Sequence, residues 1–206
     1  MTTWPLLFMH ALTGCDTTSR PYGVGKSSVL ARCPSLYQQA SIFMMQDRCH
    51  AEIESAGEEA ILVLYNCTTP GAVLDAVRAS RFATKVASSS NYISPERLPP
   101  TSDSARYHSR RVYLQVQGWL GHTIDATDWG WYTHQTKAGS ATLRPYQMNQ
   151  AAAPTSLLKI IKCNCTGKCE RRNCSCKKNG LYCTLACGQC KGNTCSNGCS
   201  IDVEDN

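Results

Sequence analysis

No apolar run in this sequence approaches the roughly 20 residues needed to cross a bilayer, so a membrane-spanning helix is not expected. An export signal is missing as well. Met1 to Thr13 is apolar, but no Lys or Arg precedes Cys15, and a signal peptide needs a basic start. There is no internal repeat and no strongly biased low-complexity segment. The five histidines (His10, His50, His108, His122 and His134) stand singly. None has the spacing of a helical zinc pair, and each reads as a core or surface residue.

What is present bounds the answer further. The 206 residues suffice for one modest domain with an appendage, or for two small domains. Hydrophobic residues make up 42%, enough for the first two thirds to bury a core. The net charge of +6 permits a nucleic-acid partner without requiring one.

The cysteines are unevenly placed. Ten of the 14 fall between Cys163 and Cys199, and the other four (Cys15, Cys33, Cys49, Cys67) are scattered. Without an export signal, a disulfide framework is disfavoured. Cys-x-Cys pairs are poorly placed to bond to each other, whereas a divalent cation holds neighbouring thiolates together. The expectation is therefore an intracellular zinc-binding segment, in which the sequons at Asn66, Asn164 and Asn173 are accidental. A metallothionein-like store and a disulfide knot are the alternatives.

The organisation expected is a mostly α-helical N-terminal region (1–121), an irregular linker (122–156), a small loop-rich zinc-cluster domain (157–199) and an acidic tail (200–206). In the first region, residues 4–12 form an apolar run and 14–25 a loop. Short helices over 26–32 and 35–45 are split by Pro34. Helical stripes run through Ile53, Ala56, Ala60, Ile61 and Leu64, then through Val73, Leu74, Val77 and Ala83. A Pro-rich stretch, 94–103, precedes the best helix, 104–120. Its stripe is Ala105, His108, Val112, Val116, Trp119 and Leu120, with Ser102 or Asp103 as cap. Residues 129–132 anchor the irregular stretch, and 157–161 suit a short strand.

The cysteine ligands run Cys163, Cys165, Cys169, Cys174, Cys176, Cys183, Cys187, Cys190 and Cys195, closing on Cys195-Ser196-Asn197. This order, with two C-x-C pairs near the start and a terminal C-x-N, resembles the tesmin/TSO1-like CXC domain over about 35 residues. The resemblance implies nine cysteines holding three zinc ions. Three tetrahedral ions need twelve bonds, and nine thiolates supply them if three bridge. The last steps, C-x2-C-x4-C, are longer than the family's usual C-x-C-x2-C, and Cys199 is a tenth cysteine. Either Cys199 is spare or the ligand order slips at this end.

The same resemblance implies binding to double-stranded DNA, partly through side chains in the minor groove. From Lys159 to Cys195 there are eight Lys or Arg against one acidic residue, Glu170. A basic surface on a rigid knot suits a phosphate backbone. Lys168, Arg171, Arg172, Asn173, Lys177 and Lys178 are the candidate DNA contacts. Family members place a base-reading tyrosine where Asn173 stands here, so that sequence preference does not transfer. The Arg171–Arg172 pair instead suits narrow A·T-rich grooves. Leu181 and Tyr182 read as packing against the cluster.

Near the start, Gly23-Val24-Gly25-Lys26-Ser27-Ser28 invites a phosphate-loop reading and fails it. A Walker loop needs glycine at the position of Arg20, so no nucleotide triphosphate is expected. Gly14-Cys15-Asp16 followed by Gly23-Val24-Gly25-Lys26 resembles flap-endonuclease and other PIN-like nucleases. The stretch from Trp4 to Leu120 resembles the tail of transposon-associated PIN-like proteins. That likeness implies Asp16 as a magnesium ligand and Gly23, Gly25 and Lys26 as phosphate contacts. Asp16 as a turn or cap residue is the competing reading. Two-metal cleavage needs several carboxylates, and only fifteen residues precede Asp16. Glu58-Glu59 reads as a solvated helix face. The expected function is thus zinc-dependent DNA binding without catalysis, in the nucleus. The alternatives are a truncated nuclease-derived protein and a zinc-knot adaptor that binds protein.

Overall fold

A computed structural model of the chain describes residues 4–88, 97–136, 139–149, 162–166, 168–170, 173–178, 180–184 and 187–198. Two compact units divide it. One joins Met1–Ala79 to Glu96–Gln150, and the other joins Ser80–Pro95 to Ala151–Asn206. The N-terminal region is mostly helical, and the cysteine-rich region is built largely of loops and turns.

The first unit holds α1 (Trp4–Leu12), α2 (Lys26–Leu30), a 3-10 turn (Cys33–Leu36), α3 (Tyr37–Met44), α4 (His50–Leu64) and α6 (Ser102–Trp119). α5 (Leu74–Ser88) begins in it. Pro34 lies in the 3-10 turn, where its missing N–H and fixed φ interrupt the run between α2 and α3. α4 starts on a capping box: the Cys49 N–H donates to Glu52 Oε2 at 3.0 Å, and the Cys49 side chain receives the backbone of the third helical residue. Thr101, not Ser102 or Asp103, caps α6, accepting the Ser104 N–H at 3.1 Å. The C-terminal stop of α6 falls at Trp119 because Gly121 takes a φ of 88°.

The core lies where α1, α3, α4 and α6 converge, and α4 packs most extensively against α6. Phe8, Leu12, Phe43, Ile53, Ile61, Val112 and Val116 are fully buried there. Each large one contributes roughly 2 kcal/mol by leaving water. Gly57 makes the α4–α6 crossing possible, since a Cβ on it would meet the Ser109 Oγ at 1.9 Å. Trp119, expected on the buried stripe, is 40% exposed and stacks on His10 instead. Two buried polar side chains of α6 are satisfied by backbone. Gln117 Nε2 donates to Phe43 O at 2.9 Å, and Tyr113 OH donates to Met45 O at 2.9 Å. These bonds tie the end of α3 to α6.

Two features differ from the sequence reading. Within the stretch read as irregular linker, β1 (Trp131–Gln135) and β2 (Ala141–Pro145) form an antiparallel hairpin, with Thr133 opposite Leu143. It is anchored on α6. Trp129 packs on Tyr113 and His50, with ring centroids 4.3 and 4.7 Å away. Arg111 donates to Tyr146 O at 3.2 Å and Tyr107 stacks on Tyr146. Glu58 is also not a solvated side chain. It accepts the Leu74 N–H at 2.8 Å and the Ser102 hydroxyl at 2.7 Å, linking the starts of α5 and α6. Glu59 is exposed, as read, although it accepts Gln39 Nε2 at 3.0 Å.

His108 is a buried titratable group of this unit. Its Nε2 lies 3.0 Å from Leu12 O and its Nδ1 3.3 Å from the Ser19 hydroxyl. The neutral ring satisfies both by donating to the carbonyl and accepting from the hydroxyl. Burial lowers its pKa to about 4, overriding the Leu12 carbonyl, and the Arg111 charge adds to the effect. The unfolded chain therefore binds a proton more readily than the folded one between its ordinary pKa and about 4. Folding stability is full above the ordinary value and falls as pH drops through that window, by on the order of 3 kcal/mol in all. Urea unfolding followed by tryptophan fluorescence should show this loss between pH 7 and pH 4. The His108→Gln variant should have a flatter profile, and an equally steep one would show that other groups govern the acid response.

Candidate metal centre

The centre is assembled from chain segments with little regular structure. Cys163 and Cys165 lead in, α7 (Ser175–Lys178) carries Cys176 directly after Cys174, and turns carry Cys187, Cys190 and Cys195. Cys163, Cys169, Cys174, Cys176, Cys183, Cys187 and Cys190 are buried, and Cys165 and Cys195 pack at the margin, half-buried. In this unit sulfur occupies the place that Phe, Leu and Ile hold in the other.

The sulfur spacing fits a metal ion. Cys163 Sγ lies 3.9 Å from Cys169, 3.8 Å from Cys183 and 3.6 Å from Cys190. Cys174 is 3.9 Å from Cys183, and Cys176 is 3.6 Å from Cys187. A disulfide would need about 2.05 Å, and all thirteen described cysteines are free thiols. Four sulfurs at about 2.3 Å from a tetrahedral zinc are about 3.8 Å apart. Three groups of four meet the proximity a single ion requires: Cys163/Cys165/Cys169/Cys174, Cys163/Cys174/Cys176/Cys183 and Cys163/Cys169/Cys183/Cys190. These groups could hold a metal ion such as zinc.

The thiols differ in acidity. Burial pushes Cys163, Cys169 and Cys183 well above the ordinary thiol value, and Cys176 up to about 12. Cys174 and Cys190 go the other way, to about 7. Burial opposes this, but the Lys177 N–H at Cys174 and the Gly192 N–H at Cys190, with neighbouring thiols, outweigh it. A cation must therefore displace several protons, and binding weakens as pH falls.

Backbone donors complete the surroundings. The Cys187 sulfur accepts N–H groups from Cys163 at 3.5 Å and Thr184 at 3.4 Å. Gly188 N–H donates to Cys163 O at 2.9 Å. Asn197 donates from Nδ2 to Leu181 O at 2.9 Å and to Cys183 Sγ at 3.4 Å. Sequence reasoning marked Asn197 as the end of a motif and gave it no role. The signal was there, in its offset of two from Cys195. Gly192 and Gly198 were not singled out at all. Gly192 has a φ of 73°, and a Cβ on it would lie 2.6 Å from Cys183 O; one on Gly198 would lie 1.7 Å from Gly192 O.

The other candidates are distributed as follows. Lys168, Asn173, Lys177 and Lys178 are exposed on the second unit. Arg171, Arg172, Cys199, the expected strand 157–161 and the tail 200–206 lie outside the described residues. Tyr182, expected to pack on the cluster, is 65% exposed. In the first unit, Asp16 is exposed in the bend after α1 and belongs to none of the groups that could hold an ion. Lys26 Nζ donates to Gly14 O at 2.7 Å, so it closes its own loop. Gly23 has a φ of 72°, and Gly25 leads into α2. Cys15 gains hydroxyl contacts from Thr17 at 3.4 Å and Thr18 at 3.2 Å. These lower its pKa against the opposing effect of burial.

No protein-family model, curated protein or solved structure matches this chain.

The glycine contacts give a direct test. In Gly198→Ala the new Cβ meets backbone, so the loop must shift, and zinc retention against chelator should fall by about tenfold or more. In Gly188→Ala the Cβ meets only the end of the Asn164 side chain, which can rotate away, and retention should stay near wild type. Equal behaviour of the two variants would show that the Cys183–Gly198 packing does not govern the metal centre.

Proposed function

We propose that the chain is a zinc-dependent DNA-binding protein of the CXC type, acting in the nucleus and non-catalytic as it stands. The observation that carries the reading is the sulfur spacing at a tetrahedral edge over overlapping groups of four. The overlaps also suggest how three ions share nine cysteines. All three groups contain Cys163, whereas each pair of groups shares one other residue: Cys174, Cys183 or Cys169. Those three are the bridging thiolates. With Cys163 reserved for the ion of Cys165, Cys169 and Cys174, the other two ions each need one more ligand. Cys187 supplies it beside Cys176. Cys195, half-buried against the same cluster, supplies the last. On this reading Cys199 is spare.

DNA binding is supported by surface chemistry. Nine thiolates and three zinc ions leave about three negative charges, which the eight Lys and Arg of the segment exceed. Lys168, Lys177, Lys178 and Lys191 are exposed, and Arg171 and Arg172 add to them in sequence. Tyr182 stands out beside these cations while its neighbours are held by backbone bonds: Leu181 N to Cys176 O at 3.0 Å and Cys183 N to Asn197 O at 2.6 Å. An aromatic ring on a fixed backbone is suited to contact a base or sugar at little entropic cost. No observation around Asp16 favours the nuclease-derived reading over this one. An adaptor role is separated from it by salt.

Native mass spectrometry of the full chain should find three zinc ions, lost with chelator. Duplex DNA should be retained in a gel shift by the zinc form alone, and magnesium should leave the DNA uncut. With about four lysine–phosphate contacts, affinity should fall on the order of 100-fold between about 50 and about 200 mM salt. The Lys177→Glu/Lys178→Glu double variant should weaken binding to all sequences while keeping its zinc. Salt-independent retention, or none by the zinc-loaded protein, would defeat the DNA reading and leave the metal centre standing.

A further inference from the structure

We propose that Asn197 is a positioning residue of the metal centre, and that its amide N–H tunes and seats the Cys183 thiolate. The proposal rests on the zinc reading above and goes beyond it by assigning a role outside the ligand set. Three contacts converge. Asn197 Nδ2 lies 2.9 Å from Leu181 O and 3.4 Å from Cys183 Sγ, and the Asn197 backbone carbonyl accepts the Cys183 N–H at 2.6 Å. The orientation of the amide follows from chemistry. The Leu181 carbonyl can only accept, so the NH2 end must face it, and the second N–H of the same group is the one directed at sulfur.

The side chain meets Cys183 at a shared position of the cluster. Cys183 is shared by two of the groups that could hold an ion, so it bears the load of a bridging ligand. A donor to a metal-bound thiolate withdraws electron density from sulfur and fixes its direction, which is how groups beyond the ligands set affinity. Asn197 also lies two residues beyond Cys195. The same contacts that hold Cys183 therefore also fix the chain two residues from Cys195, which packs half-buried against the cluster. This gives a physical reason for asparagine at this place. Aspartate has no N–H to offer and sets a negative charge against a thiolate. Glutamine would carry its amide one methylene too far for both contacts. Serine keeps one donor on a shorter arm.

The test uses the full 206-residue chain loaded with zinc or with cobalt(II), comparing wild type, Asn197→Asp and Asn197→Ser. Zinc loss to excess chelator gives the affinity readout. The near-ultraviolet thiolate-to-cobalt charge-transfer band reports on sulfur itself, which simple loop packing would not move. Asn197→Asp should release zinc about tenfold faster or more, with the band shifted to longer wavelength because the thiolate is more electron-rich. Asn197→Ser should fall between the two. If Asn197→Asp takes up no metal, the Ser variant decides alone: an intermediate band and rate support the donor role, and wild-type values of both overturn it. An unshifted band with unchanged release in Asn197→Asp also overturns the role of Asn197 and leaves the zinc centre intact. Equal effects of Asp and Ser would reduce Asn197 to loop packing. A wild-type chain that binds neither metal removes the zinc reading and this one together.

Discussion

Sulfur-to-sulfur proximity without covalent bonds is the constraint on which the second unit depends. Thiols 3.6–3.9 Å apart gain little from each other as neutral groups, and as thiolates they repel. A divalent cation turns the same geometry from unfavourable to strongly favourable, at apparent energies of about 10 kcal/mol or more per structural zinc. The rest of the unit is arranged around that fact. Among the described residues its regular structure is the end of α5 and the four-residue α7, and the buried side chain of α7 is Cys176. With zinc bound as proposed, folding and metal uptake would be one process in this unit, whereas the first unit folds on hydrocarbon burial.

The contrast between the units also explains where glycine and asparagine sit. In the first, Gly57 lets two long helices approach, and the reward is a dry interface of Phe43, Ile53, Ile61 and Val112. In the second, Gly192 and Gly198 let one backbone turn lie against another, and the reward is a fixed position for Cys183. Both contacts resist an added methyl group, since a Cβ would come within 1.9 Å of Ser109 Oγ at Gly57 and within 1.7 Å of Gly192 O at Gly198. A tetrahedral ligand set adds a further demand, because bond lengths and angles at a metal are narrow.

Much of this was legible in the sequence, and the failures are specific. The cysteine order pointed to the thiol groups that could hold an ion because spacing along the chain and geometry around an ion are linked directly. The stripes through Ile53, Ala60 and Ile61 and through Ala105, Val112 and Val116 located α4 and α6 because burial follows the 3.6-residue period. Glu58 was misread because its partners, Leu74 N and Ser102, belong to the starts of two other helices, and helical periodicity sees only its own face. The 131–145 hairpin was missed because its turn has no Asn-Gly or Asp-Gly signal and β2 is almost wholly exposed, so no alternation marks it. Tyr182 was misread for the opposite reason. An aromatic beside a cysteine suggests burial, but the buried cluster is made of cysteines among the described residues and Tyr182 lies outside it.

That last point bears on why a protein would keep Tyr182 65% exposed. An exposed ring adds nothing to the stability of its own unit, and burying it would gain free energy if room existed. The hydrogen bonds flanking residue 182, Leu181 N to Cys176 O and Cys183 N to Asn197 O, hold its backbone in place. Surface lysines on a flexible loop would lose conformational entropy on meeting a phosphate backbone. If the chain binds zinc and DNA as proposed, the metal and the Asn197 contacts would meet that cost in advance, holding the exposed Lys177, Lys178 and Tyr182 on an ordered backbone. The proposed ions would then be structural in position and functional in consequence.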